Sequence, residues 1–156
     1  MKPIRQQVME AIQARLESIR VSAGYLTDVG INVFQWRDPM GEPFQPQEKP
    51  CCFLRDASSE ITSLDSTVHE HALSVEIGAL VDRDDAVAAM RDLEADLTKA
   101  IGADRFFGGL VKFCQPTGTQ SDVKTTGERN AVVRITLEVR YLPKAWDPFT
   151  LHTGPA

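Results

Sequence analysis

The clearest pattern in the sequence lies between Ala131 and Tyr141, where apolar and polar residues alternate strictly from Val133 onward. Successive side chains of a strand point to opposite faces of its sheet, so this alternation predicts a strand that is buried on one face only. A second segment, from His71 to Val81, alternates in the same way, with Leu80 as its exception. The side chains expected to be buried are Leu73, Val75, Ile77, Ala79, Val81, Val133, Ile135, Leu137, Val139 and Tyr141. A sheet of this kind needs a second layer on its apolar face.

Two other segments show the period of a helix. After Pro3, apolar residues recur at steps of three or four, which predicts an amphipathic helix of roughly 18 residues with Gly24 as its stop. These residues are Ile4, Val8, Ile12, Leu16 and Ile19. A second helix is predicted over roughly 84–101, with Gly102 closing it. Its apolar positions are Val87, Met90, Leu93 or Glu94, Leu97 and Ile101. Each helix carries one stripe to bury.

Shorter strands are predicted at 31–36, 51–56 and 110–115, which gives the element order α-β-β-β-α-β-β. The simplest arrangement is an α+β fold, in which a mostly antiparallel sheet carries both helices on one face. The opposite face is expected to be open to water or to a partner. We expect a single domain over 1–142 and an extended C-terminal tail over 143–156.

Two long segments lack any period. Residues 37–50 hold four prolines and predict a loop, and residues 116–129 predict a second, polar loop. Aromatic residues lie on or beside the aperiodic segments, where they either fold back onto the core or serve as interface anchors. The candidate interface residues are Trp36, Met40, Phe44, Arg134, Arg140, Trp146 and Phe149.

Charge and composition argue against several classes of protein. The 22 acidic and 17 basic residues give a net charge of −5, which disfavours specific nucleic-acid binding. The N-terminal segment lacks the pattern of a signal peptide, and no apolar run is long enough to cross a membrane. The three cysteines, Cys51, Cys52 and Cys114, show no metal or redox spacing and are expected to be buried free thiols in a reducing compartment. The expected location at synthesis is therefore the cytoplasm.

No catalytic motif is present, so we expect no enzyme activity, no cofactor and no metal. His69 and His71 share one face of a strand and are the best metal candidate, with Asp65 as a third ligand, but the polar start of a strand is the favoured interpretation. The acidic cluster at 82–85 favours a helix N-terminus over a cation site. Arg134 and Arg140 alternate with Thr136 and Glu138, which favours a solvated or subunit-contacting face over a phosphate site.

Short phrases across nearly the whole chain resemble the tail terminator proteins of long-tailed bacteriophages, including the lambda-type minor tail protein family. The phrases are LESIRVSAGYLTDVGINVFQWRD, EKPCCFLRD, HALSVEIGALV, DLTKAIGADRFFGGLVKF and AVVRITLEVRYLPKAWDP. The resemblance implies a homohexameric ring that caps the tail tube, stops its elongation and offers a surface to the head. The implied partners are further copies of the chain, the tail tube protein and a head-completion or connector protein, and the implied location is the virion tail at the head–tail junction.

Other functions remain open at this point. The chain is alternatively a head–tail joining or completion protein, or a small α+β domain that binds a metabolite or a metal through His69 and His71. A hydrolase that uses acidic residues has no motif in its support. Within the terminator interpretation, the net negative charge suits a channel through which DNA slides without sticking, because cationic groups would bind phosphates.

Overall fold

A computed structural model of the protein describes residues 1–37, 43–127 and 129–153. Its long elements follow the predicted order α-β-β-β-α-β-β, and two short strands come after them. The helices are α1 (Ile4–Glu17) and α2 (Ala86–Gly102). The strands are β1 (Val33–Gln35), β2 (Cys51–Ser63), β3 (His69–Val81), β4 (Phe113–Lys124), β5 (Asn130–Tyr141), β6 (Pro143–Lys144) and β7 (Asp147–Leu151).

The first five strands form one sheet in the order β1-β2-β3-β5-β4. β1 pairs with β2 in parallel, and all other neighbours in this sheet are antiparallel. β6 and β7 form a separate hairpin. The fold is therefore α+β with a mostly antiparallel sheet, as the sequence predicts. None of the described helices has the length and apolar character needed to cross a lipid bilayer.

The main core lies between the helices and one face of the sheet. All ten side chains predicted from the alternation of β3 and β5 are buried there, beside the apolar stripe of α1. The predicted stripe of α2 is confirmed at Leu93, Leu97 and Ile101, which are buried. It differs at the start of the helix, where Val87 is exposed, Met90 is half-buried, and Ala86 and Ala89 are the buried positions. The small side chains of Ala86 and Ala89 allow the start of α2 to lie close to the sheet, so a prediction from large apolar residues alone places the stripe one position too late there.

α1 ends earlier than predicted. The helix stops at Glu17, and the Ser18 hydroxyl donates to the carbonyl of Arg15 at 2.5 Å. Gly24, expected to end the helix, instead ends a short 3₁₀ turn over Val21–Ala23, with φ 92°. Ile19 remains fully buried beyond the helix because the chain turns back over it, and the Gly30 amide donates to the Ile19 carbonyl at 3.0 Å.

Two strands are much longer than predicted. β2 continues from Asp56 to Ser63, and β4 continues through most of the segment predicted as the 116–129 loop. In these distal halves both faces of the sheet lie beyond the helix layer and are mostly exposed. Apart from Val123, which packs against the main core, their side chains need not alternate in polarity, and backbone pairing is the main interaction that holds these halves in the sheet.

A small second core lies on the other face, at one end of the sheet. Phe44 is buried there, with its ring 5.3 Å from that of Phe34 and 6.1 Å from that of Phe53. Leu80, the exception in the alternation of β3, belongs to this cluster. The described part of the proline-rich segment thus covers an apolar patch, and Phe44 is a core residue of the chain rather than an exposed aromatic.

Candidate interaction site

Two exposed apolar side chains, Ile61 and Trp146, line one cavity at one end of the sheet. Two adjoining cavities of about 300 and 240 Å³ share Ile61, His71, Pro143 and Pro148 as walls. We call this region the hairpin-end surface. It consists of Ile61, His69, His71, Pro143, Trp146 and Pro148. Ile61 is 60% exposed and Trp146 is 92% exposed.

Trp146 occupies the turn between β6 and β7 with φ 63°, a left-handed conformation that side-chain-bearing residues rarely adopt. The His69 ring packs edge-on against the indole, with a centroid distance of 5.5 Å. The turn is fixed to the rest of the fold, because the Ala145 amide donates to the Thr67 carbonyl at 2.9 Å and Lys144 bridges to Val68. The segment predicted as an extended tail therefore holds an exposed tryptophan in one place.

His71 forms the floor between the two cavities. Its ring stacks on Tyr141 at 4.9 Å, and the Tyr141 hydroxyl lies 3.3 Å from its Nδ1 atom. Burial lowers the pKa of His71 below its ordinary value of 6.5, and the nearby charges of His69 and Arg5 act in the same direction. The folded protein therefore favours the neutral imidazole.

We expect His71 to make stability depend on pH. The unfolded chain binds a proton at His71 near pH 6.5, and the folded chain binds it only at lower pH, so the free energy of unfolding falls as the pH drops below 6.5. Above pH 6.5, the contribution of His71 to the free energy of unfolding no longer changes with pH. Urea unfolding from about pH 5 to about pH 7.5, compared between the protein and His71→Asn, measures this difference. A difference between the two proteins that stays flat over this range would contradict the prediction.

The acidic residues considered for metal binding have other partners. One Asp65 carboxylate oxygen accepts from both the amide and the hydroxyl of Thr67 at 2.6 Å, which closes the turn between β2 and β3. Among the residues that the structure describes, no group of three or more His, Cys, Asp or Glu side chains is placed to hold a metal ion. Asp85 precedes α2, but its side chain makes no capping hydrogen bond and pairs with Arg83 instead, so the predicted carboxylate cap is wrong there.

The three cysteines are buried and free, as predicted. Burial raises the pKa of Cys51 to about 12 and that of Cys114 to about 11, and it raises the pKa of Cys52 as well. A thiol is nucleophilic and binds metals as the thiolate. These side chains therefore act as small apolar core residues near neutral pH.

The open face of the sheet carries paired charges of both signs. Arg140 contacts Glu70 and Glu138, each at 2.8 Å, and Arg134 lies 3.7 Å from Glu76. The hydrogen bond from Arg140 lowers the pKa of Glu138. The two arginines lie on the open face, as the alternation predicts, and their contacts with carboxylates make the face mixed in charge.

Besides Arg134 and Arg140 on the open face, the five other predicted interface residues fall into three groups. Trp36 is 59% exposed, and Trp146 and Phe149 are also exposed. Phe44 is buried, and Met40 lies outside the described residues. Ile61 was not among the predicted interface residues; it lies beside Trp146 because β2 continues to Ser63.

Comparison with known proteins does not assign the chain to a family. No protein-family model matches the chain, and a search of curated proteins finds no significant match.

Proposed function

We propose that the chain is a structural component of a phage tail, a tail terminator whose copies form a ring on the end of the tail tube. In this role the ring stops the elongation of the tube and offers a surface to a head-completion or connector protein. The proposal includes no catalytic step and no cofactor. It rests on the resemblance of the sequence phrases and on one structural observation, the exposure of Trp146.

A tryptophan that is 92% exposed needs a reason to be kept in one position. Its left-handed backbone conformation is unfavourable for a residue with a side chain, and such conformations concentrate at functional sites. Tryptophan is also enriched among the residues that contribute most to binding between proteins. The neighbouring apolar cavities at Ile61 and Pro148 continue the same surface. This combination supports a protein partner at the hairpin-end surface and an assembly role.

The substitution Trp146→Gly separates a binding role from a structural one. Glycine fits the left-handed conformation without a steric penalty, so we expect the stability of the isolated chain to be kept or raised. Loss of an aromatic anchor is expected to weaken assembly about tenfold or more. Native mass spectrometry and negative-stain images, with and without tail tubes of the phage or prophage that encodes the chain, measure ring formation. Val87→Ala, which removes an exposed apolar group from α2, is the matched control.

Two outcomes would contradict the proposal. The first is a chain that remains monomeric at high concentration both with and without tail tubes. The second is saturable binding of zinc that is lost in a variant with both His69→Ala and His71→Ala, since that result supports the small ligand-binding domain instead. A ring whose lumen is lined with lysine and arginine would reject the further idea that the negative charge lets DNA pass.

A further inference from the structure

The sheet has two open edges within residues 1–37, 43–127 and 129–153. β4 is the last strand of the sheet and pairs only with β5. On the other side, β1 pairs with β2 only from Cys52 to Leu54, so the rest of β2 has a partner on one side alone. An unpaired strand edge presents backbone donors and acceptors to any extended segment that can align with them.

Each open edge is a regular stretch that begins just after a β-bulge. In β2 the register shifts between Asp56 and Ser58, and in β4 it shifts between Pro116 and Gly118. The stretches that follow, 58–63 and 118–124, keep an unbroken register with their neighbours and are mostly exposed. They are of nearly equal length, and we call them the β2 edge and the β4 edge.

The two edges lie at opposite sides and opposite ends of the sheet. The β2 edge pairs with β3 between His69 and Ser74, close to Tyr141 at the end of β5. The β4 edge pairs with the first half of β5, which is next to the far end of β3. A contact between the β2 edge of one copy and the β4 edge of another therefore joins two different surfaces. A contact of this kind repeats from copy to copy and forms a ring if the rotation closes.

We propose that copies of this chain assemble by pairing the β2 edge of one copy with the β4 edge of the next, so that their sheets become continuous. This inference rests on the proposed function and names the contact that would build its ring. A second copy is the partner because the chain itself supplies both halves of the contact. Closure of the ring also leaves neither edge open, which removes the risk of uncontrolled strand pairing.

The side chains of the two edges suit each other on both faces. On the helix side, the β4 edge presents Thr119, Ser121 and Val123, which are small enough to lie beside the protruding Ile61. On the open face, Glu60 is the charged residue of the β2 edge, and Lys124 carries the opposite charge at the end of the β4 edge. β2 and β4 run in opposite directions within one copy, so a continuous sheet pairs the two edges antiparallel. When Glu60 faces Lys124 in this direction, Asp122 falls opposite Thr62 and meets no like charge.

Cysteine cross-linking tests the contact. Ser63 and Ser121 are exposed, lie on the same side of the sheet and face each other in the register that sets Glu60 opposite Lys124, whereas the native cysteines are buried. Under mild oxidation of assembled rings, we expect the double variant Ser63→Cys/Ser121→Cys to give a ladder of covalent multimers on a denaturing gel. When the two single variants are mixed, each copy carries only one of the two cysteines. Cross-linking of the mixture should therefore stop at covalent dimers. A second test pair, with Thr119→Cys in place of Ser121→Cys, detects the same contact if the register between the two edges is shifted by two residues.

The control pairs Ser63→Cys with Gln115→Cys, which lies on β4 before the bulge and on the open face. Rings that form normally but give no ladder with either test pair would overturn the edge contact and leave the proposed function standing. A ladder of equal intensity from the control pair would also overturn the edge contact. If no rings form with or without tail tubes, both the contact and the proposed function fail.

Discussion

Gly30→Ala is expected to lower the free energy of unfolding by about 3 kcal/mol, because the site has no room for one more methyl group. A Cβ atom at this position would lie 2.6 Å from the carbonyl oxygen of Leu16, 2.7 Å from that of Ile19 and 2.8 Å from that of Glu17. These are backbone atoms at the end of α1, so they cannot turn away as a flexible side chain can. The Gly30 amide also donates to the Ile19 carbonyl, and a displaced backbone would weaken that bond.

Gly102→Ala is the matched control, since it makes the same chemical change in a different environment. Gly102 ends α2, and a Cβ atom there would have no neighbour within 4 Å. Alanine favours the helix, so this variant is expected to gain about 0.5–1 kcal/mol. Urea unfolding followed by circular dichroism measures both changes. Equal effects of the two substitutions would show that the close approach at Gly30 does not limit stability.

The parts of the fold that the sequence predicts are those where burial imposes a period. β3, β5 and α1 each bury one face, and their apolar residues recur accordingly. The distal halves of β2 and β4 bury little on either face, so nothing in their side chains distinguishes a strand from a loop. Their pairing depends on the register set elsewhere in the sheet, which a single sequence does not reveal.

The residues of the candidate site were likewise predicted only in part. Trp146 and Phe149 were predicted as interface residues because they lie outside every periodic segment, and both are exposed. Phe44 met the same criterion, yet it is buried because Phe34 and Phe53 offer it an apolar patch on the less obvious face of the sheet. Ile61 was missed because its neighbour Trp146 is distant in sequence. Exposure of an aromatic residue in an aperiodic segment thus depends on tertiary contacts.

Asp96→Ala is the second substitution with a large expected effect, a loss of about 3 kcal/mol in the free energy of unfolding. Asp96 lies on α2 and is 2% exposed. Its carboxylate accepts from the Leu26 amide at 3.0 Å, the Thr27 amide at 2.8 Å and the Thr27 hydroxyl at 2.6 Å. Alanine leaves these donors without an acceptor in a site that water reaches poorly, and each unpaired buried donor carries a desolvation penalty.

Asp92→Ala, one helical turn earlier, is the control that separates the effect of burial from the effect of losing one negative charge. Asp92 pairs with Arg83 at 2.9 Å and remains about one third exposed, so its loss is expected to change stability by less than about 1 kcal/mol. Asp96→Asn keeps one acceptor oxygen and should fall between the two alanine variants. If Asp96→Ala were as mild as Asp92→Ala in urea unfolding, the segment at Leu26 and Thr27 would not depend on α2 for its position. A large loss at Asp96 alone would instead show that this carboxylate fixes the chain after α1 onto α2, and with it the close contact at Gly30.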